Sequence, residues 1–236
     1  MQVFVTPRAS QNDPGEADMK MFTPFLVALI TAGTGAAASL CANAETSVVL
    51  ETSFDCARAA AAVEKLICRT PQLKQMDIEL TRLYRLALTD DHSVPRPDKI
   101  EIEQRFWVGA RNQCSSEAQP IACTIRNYAE RAHQLRQGSA IARTKDPSRL
   151  TDGPIAFRCA GLNALIAVTY FNVQPRVVYL KWGNTSATLI QVPNDSATQY
   201  NGKDYRGRYN FWQNGSDALF QMPGSGQMSC TAEPVS

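Results

Sequence analysis

Between residues 56 and about 137, apolar residues recur at spacings of three and four. Leu73, Met76, Leu80, Leu83, Tyr84 and Ala87 fall on one stripe, the signature of an amphipathic helix. Pro71 stands where a helix can begin, and Thr70 precedes it as a candidate N-cap. The stretch 90–97 breaks the pattern with two prolines. A second stripe follows at Ile100, Glu103, Trp107, Ala110 and Cys114, with one polar member. A third runs Ile121, Ile125, Tyr128, Ala132 and Leu135, and a short segment at 63–68 predicts a fourth helix.

Residues 138–153 carry Gly, Ser, Pro and mixed charge, the composition of an inter-domain linker. Beyond them the period changes from 3.6 to 2. Ile155, Phe157 and Cys159 alternate with polar neighbours, and 164–171 is a continuous apolar run. Further strands are predicted at 177–182, 188–192, 205–212 and 218–222, separated by turn residues such as Gln174-Pro175, Gly183-Asn184 and Asn214-Gly215. Seven or eight strands in about 80 residues suggest a small antiparallel barrel or sandwich. The expected fold class is α+β with two domains: a leader at 1–44, a disulfide-linked helical domain at 45–137, the linker at 138–153, and the β domain at 154–236.

The leader changes the compartment. Met19-Lys20-Met21 precedes an apolar run at 22–30, and Ala42-Asn43-Ala44 fits a signal-peptidase site. Export with cleavage after Ala44 is the expectation, with translation beginning at Met19 or Met21, and no membrane span remains after cleavage. Leu40 stands where a lipobox needs a small residue, so lipid attachment at Cys41 is not expected. Cleavage leaves Cys56, Cys68, Cys114, Cys123, Cys159 and Cys230 in an oxidising compartment, which predicts three disulfides. Cys159 lies on the first strand and Cys230 on the last, so a bridge between them would close the sheet. The four helical cysteines allow three pairings, and spacing does not choose among them. Each such bridge typically adds about 2–4 kcal/mol to a core of marginal size.

The remaining composition excludes more than it proposes. With 44% apolar and 19% charged residues and a net charge of +2, nothing favours nucleic acid or an acidic membrane. There is no phosphate-binding glycine loop, no dinucleotide fingerprint and no metal-ligand spacing, so no cofactor or metal is expected. Neither His92 nor His133 lies in the β domain to serve a serine nucleophile, and both are expected at the surface of the helices. The β-domain acids Asp195, Asp204 and Asp217 suit turns better than a catalytic pair. A binding protein is the better class than an enzyme.

Two resemblances sharpen that class. The helical half resembles the LprI-type lysozyme inhibitors through Ser53-Phe54-Asp55-Cys56, Val63-Glu64-Lys65-Leu66-Ile67-Cys68, Asp77, Tyr84, Trp107, Arg111-Asn112, Cys114, Cys123 and Tyr128. The β half resembles the MliC/PliC inhibitors of c-type lysozyme through Phe157, Cys159, Tyr170, Leu189, Ser196-Ala197-Thr198-Gln199-Tyr200, Tyr209, Phe211-Trp212, Gly215, Ala218-Leu219 and Cys230. That resemblance implies an eight-stranded antiparallel β-barrel closed by a disulfide. It implies a Ser-Gly-x-x-Tyr loop entering the lysozyme cleft, and a lysine on a second loop. Here Ser196 and Tyr200 are kept, Ala197 replaces the glycine, and Asn214 stands where the lysine would be.

The implied function is a periplasmic inhibitor of c-type lysozyme that plugs the substrate cleft with Ser196 and Tyr200. Lysozyme works through two carboxyl groups flanking its cleft. A hydroxyl can donate to a carboxylate there without burying a charge, and a cation can pair with it strongly once water is excluded. Asn214 loses the charge, so Lys203, Arg206 or Arg208 is expected to supply it from the segment between Tyr200 and Tyr209. The alternative is a non-inhibitory periplasmic scaffold that binds another cell-wall component.

Overall fold

The computed structural model describes residues 52–144, 150–193 and 198–234. The leader, with Cys41 and the expected cleavage site, lies outside the described residues.

The helical part comprises α1 (Ala62–Arg69), α2 (Pro71–Leu88), α3 (Pro97–Gln113), α4 (Pro120–Gly138) and the short α5 (Ala140–Arg143). Proline occupies the first position of α2, α3 and α4, where its missing N–H costs no intrahelical bond. The predicted stripes of α2 and α4 turn inward except at Ile121, which is exposed, while the α3 stripe is only partly covered: Ile100 and Cys114 are buried, Glu103 and Trp107 half-buried, and Ala110 exposed. Leu73, Met76, Leu80 and Leu83 of α2 meet Ile125, Tyr128, Ala132 and Leu135 of α4 in one core. Two disulfides staple the periphery, Cys56–Cys68 and Cys114–Cys123. The residues in the LprI-like pattern converge at the centre. The Tyr128 hydroxyl donates to Asp77 Oδ1 at 2.6 Å, Arg111 lies 3.6 Å from the same oxygen, and the Ser53 hydroxyl donates to it at 2.9 Å. Burial and the adjacent Asp77 hold the Tyr128 phenol well above its usual range.

Eight strands follow: β1 (Thr151–Cys159), β2 (Ile166–Phe171), β3 (Val177–Trp182), β4 (Thr185–Gln191), β5 (Thr198–Asp204), β6 (Gly207–Asn214), β7 (Asp217–Gln221) and β8 (Gln227–Ala232). Each pairs antiparallel with its neighbours, and β8 returns to β1 to close the barrel. Cys159 and Cys230 face each other across that seam and are bonded. The interior is packed by Phe157, Val168, Val178, Leu180, Leu189, Tyr200, Tyr209, Phe211 and Phe220. Phe157 and Phe220 meet the Phe211 ring edge-on at 5.8 and 6.4 Å between centroids.

The continuous apolar runs in β2 and β3 reflect burial on both faces. Val168, Tyr170, Val178 and Leu180 point into the barrel, while Phe171, Val177 and Tyr179 join the helical core. Polar contacts complete this junction. Arg136 on α4 is 2% exposed and donates to the carbonyls of Gly153 (2.6 Å) and Ala142 (3.2 Å) and to Thr151 Oγ1 (3.1 Å). Thr151 in turn donates to Glu79. Gly153 has φ 89°, and a Cβ there would lie 2.5 Å from the Val168 carbonyl oxygen, so only glycine fits.

Three expectations change. The stretch 138–153 contains the end of α4, all of α5 and the start of β1. Tyr205, expected inside a strand, sits at the tip of a tight β5–β6 hairpin, because the polar 201–204 segment pairs residue by residue with 207–210. Backbone pairing overrides the weak strand propensity of Asn201-Gly202-Lys203-Asp204. His133, expected at the surface, is 2% exposed between α4 and the barrel. Its Nδ1 shares a 2.7 Å hydrogen bond with Thr169 Oγ1, its ring lies 4.9 Å from that of Tyr179, and burial pushes its pKa down to about 4. His92 is exposed.

Candidate functional site

In an up-and-down barrel, successive connections alternate between the two ends. The β2–β3, β4–β5 and β6–β7 turns therefore share one end, and the β3–β4, β5–β6 and β7–β8 turns share the other. The register agrees: Phe171 pairs with Val177, Val177 with Ile190, Gln191 with Tyr200, and Thr198 with Gln213. The end of β4 at Gln191, the start of β5 at Thr198 and the turn carrying Asn214 thus belong to the same end.

Ser196 and Ala197 lie outside the described residues, as do Asn194 and Asp195. The base of their loop is described. Val192 N–H donates to the Gln199 carbonyl at 2.8 Å, and Gln191 N–H donates to the Arg176 carbonyl at 2.8 Å. The loop thus springs from a backbone-pinned stem beside the β2–β3 turn. Tyr200 is 2% exposed, with its ring inside the barrel 6.4 Å from that of Phe211. Burial raises its pKa, and Arg176 partly offsets the rise. Tyr170, the neighbouring phenol, is also raised by burial, and its hydroxyl has no partner among the described residues. Asn214 is exposed at the β6–β7 turn.

Lys203, Arg206 and Arg208 are brought together, but at the opposite end of β5 and β6. The six-residue separation from Thr198 to Asp204 corresponds to roughly 20 Å of strand. Arg206 is bound to Asp204 at 2.8 Å and to the Ser186 carbonyl at 3.1 Å. Burial acts to raise the Asp204 carboxyl, but its bonds to Arg206 hold it below the usual carboxylate range. Lys203 and Arg208 are exposed.

Arg176 was missed in the sequence. It is exposed, it lies in the turn that shares an end with the 194–197 loop, and it is the cation beside Tyr200. The signal that could have found it is strand parity, which needs the strand count and the unanticipated β5. Among the described residues, no group of three His, Cys, Asp or Glu could hold a metal, and no helix is long and apolar enough to cross a membrane.

Residues 157–229 match the family model described as membrane-bound lysozyme-inhibitor of c-type lysozyme, MliC. The barrel is a MliC-type domain. Lipoprotein LprI of Mycobacterium bovis is 27% identical over 156 residues, which cover 66% of this chain and 74% of that protein. Lipoprotein LprI of Mycobacterium tuberculosis matches to the same extent. The region ahead of the MliC-type barrel is LprI-like. No solved structure matches the chain significantly.

Proposed function

We propose that the protein is an exported inhibitor of c-type lysozyme, and that the 194–197 loop of its MliC-type barrel enters the substrate cleft. The observation that carries this reading is the match of 157–229 to a family described by that inhibition. The names of the relatives support an exported, envelope-located protein, and the periplasm is the compartment that suits the leader.

In this reading the barrel is a rigid mount. The Cys159–Cys230 bridge and the aromatic interior leave the loop stem little freedom, so less conformational entropy is lost on docking. Ser196 offers an uncharged hydroxyl donor to the acid pair of the enzyme, and Ala197 narrows the loop's backbone freedom. Tyr200 anchors the loop from inside the barrel. Arg176 supplies the positive charge that Asn214 does not, while Asn214 contributes an amide donor from the adjoining turn. The protein acts by occupying a cleft and performs no chemistry.

A mixture of the purified mature protein with c-type lysozyme tests this by cell-wall lysis. Inhibition is expected at or below micromolar concentration. Ser196→Trp and Arg176→Glu should each weaken it tenfold or more, with unchanged far-ultraviolet circular dichroism. No inhibition by the wild type at micromolar concentration would reject the reading. It would favour a non-inhibitory periplasmic scaffold for another cell-wall component, to which the Asn214 replacement already lends some weight.

A further inference from the structure

The cleft between the start of α4 and the outer face of β4–β6 measures about 640 Å³. It runs along β4 and β5 from Ile190 and Asn201 to the β5–β6 hairpin, and its lining shares no residue with the lysozyme-docking set proposed above.

Three features of its lining point to one ligand chemistry. The first is charge. Arg126 and Lys203 both line the cleft, and neither makes an ion pair among the described residues, whereas Arg206 is neutralised by Asp204. Glu117 is the remaining acid in the lining. The second is an aromatic face. Tyr205, at the mouth, is 93% exposed, the largest exposure among the large apolar side chains described. Arg206 lies 5.2 Å from its ring centroid and 5.7 Å from that of Tyr209, which holds the hairpin tip as a preformed platform. The third is neutral hydrogen-bonding capacity. Ser186, Thr188 and Asn201 line the wall, and the buried Thr188 hydroxyl has no partner among the described residues. A buried polar group without a partner is worth satisfying.

We propose that this cleft binds an acidic glycan: a short run of sugar rings carrying carboxylates. One ring stacks its C–H face on Tyr205, the carboxylates pair with Lys203 and Arg126, and sugar hydroxyls meet the neutral wall. A simple polyanion would use only the charges, and a neutral sugar would use only the ring and the wall. The cleft provides for both.

The test titrates the full mature chain with three probes, followed by calorimetry and by amide chemical shifts. The probes are a muramic-acid-containing tetrasaccharide with free carboxylates, chitotetraose, and tetraglutamate. The acidic tetrasaccharide should bind at least tenfold more tightly than either other probe, with shifts centred on 201–209. Tyr205→Ala and the pair Lys203→Glu with Arg126→Glu should each reduce that affinity tenfold or more. All three residues are exposed, so the fold is retained, and inhibition of lysozyme by these variants should match the wild type. The proposal is overturned if the tetrasaccharide fails to bind, if tetraglutamate or chitotetraose binds as tightly, or if the substitutions leave its affinity unchanged.

Discussion

Asp77 and Phe211 sit at the centres of their respective halves, and they are chemical opposites. Around Asp77 the helices bury a phenol and a guanidinium, and the exposed Ser53 donates its hydroxyl to the same carboxylate. Around Phe211 the barrel buries hydrocarbon, aromatic rings and a disulfide; of its three phenols Tyr209 bonds to Asp204, and the Tyr170 hydroxyl has no partner among the described residues. The contrast extends to the buried polar residues among those described. Eleven of the thirteen belong to the helical part, and the two on the barrel, Thr151 and Thr169, bond to Arg136 and His133 of the helices. A closed barrel satisfies its own backbone and needs only volume inside it. Short helices with a small core need directional contacts to fix their crossing, and the LprI-like pattern residues supply them. Motif residues therefore carry different meanings in the two halves. In the helices Asp77, Arg111 and Tyr128 fix the packing through polar contacts, whereas in the barrel Phe157, Leu189, Tyr200 and Phe211 fill volume and Asn214 lies at an exposed rim.

The comparison can be broken most directly at its two centres. Asp77→Ala leaves the buried Arg111 guanidinium without its carboxylate, and should destabilise the protein by about 3–5 kcal/mol. Phe211→Ala should destabilise it by a similar 3–5 kcal/mol through cavity formation. Urea unfolding measures both. If Asp77→Ala were neutral, the polar cluster would not be what holds the helices. Replacing Cys159 and Cys230 together by alanine should lose about 2–4 kcal/mol, read as a lower midpoint without a reducing agent.

A smaller effect tests the junction. The His133 pKa is about 4 in the folded protein, below the ordinary value near 6.5. Between those values the unfolded chain binds the proton and the folded chain does not. Stability should therefore be full above pH 6.5 and fall as pH drops toward 4, by on the order of 3 kcal/mol over the window. The groups around the imidazole are Thr169, Tyr179, Gln137, whose contact opposes the shift, and Lys181, whose charge adds to it. His133→Asn should flatten this part of the profile, and an unchanged slope would place the pH sensitivity elsewhere. The smallest effect is expected at the exposed hairpin. Lys203→Glu and Arg208→Glu should change stability by less than about 0.5 kcal/mol and leave lysozyme inhibition unaltered. A loss of inhibition there would return the docking surface to the β5–β6 end.

Local sequence determined the two structural regimes and their order, because side-chain periodicity reports directly on which face of a helix or strand is dry. It placed the helix starts at Pro71 and on the stripes of α2 and α4, and it placed Cys159 and Cys230 on the terminal strands. β5 was not legible, since Asn201-Gly202-Lys203-Asp204 has no apolar alternation and is held by its neighbours' backbone. The burial of His133 is not legible either, because one imidazole on a helix carries no sign of which face will be covered. Only the tertiary structure chose Cys56–Cys68 and Cys114–Cys123 from three possible pairings, covered the outer faces of β2 and β3 with helices, and separated Lys203, Arg206 and Arg208 from Asn214. It also put Arg176 at the end where Asn214 lies. These are consequences of closure: the end at which a turn emerges depends on how many strands precede it and on their register, which no short window of residues contains.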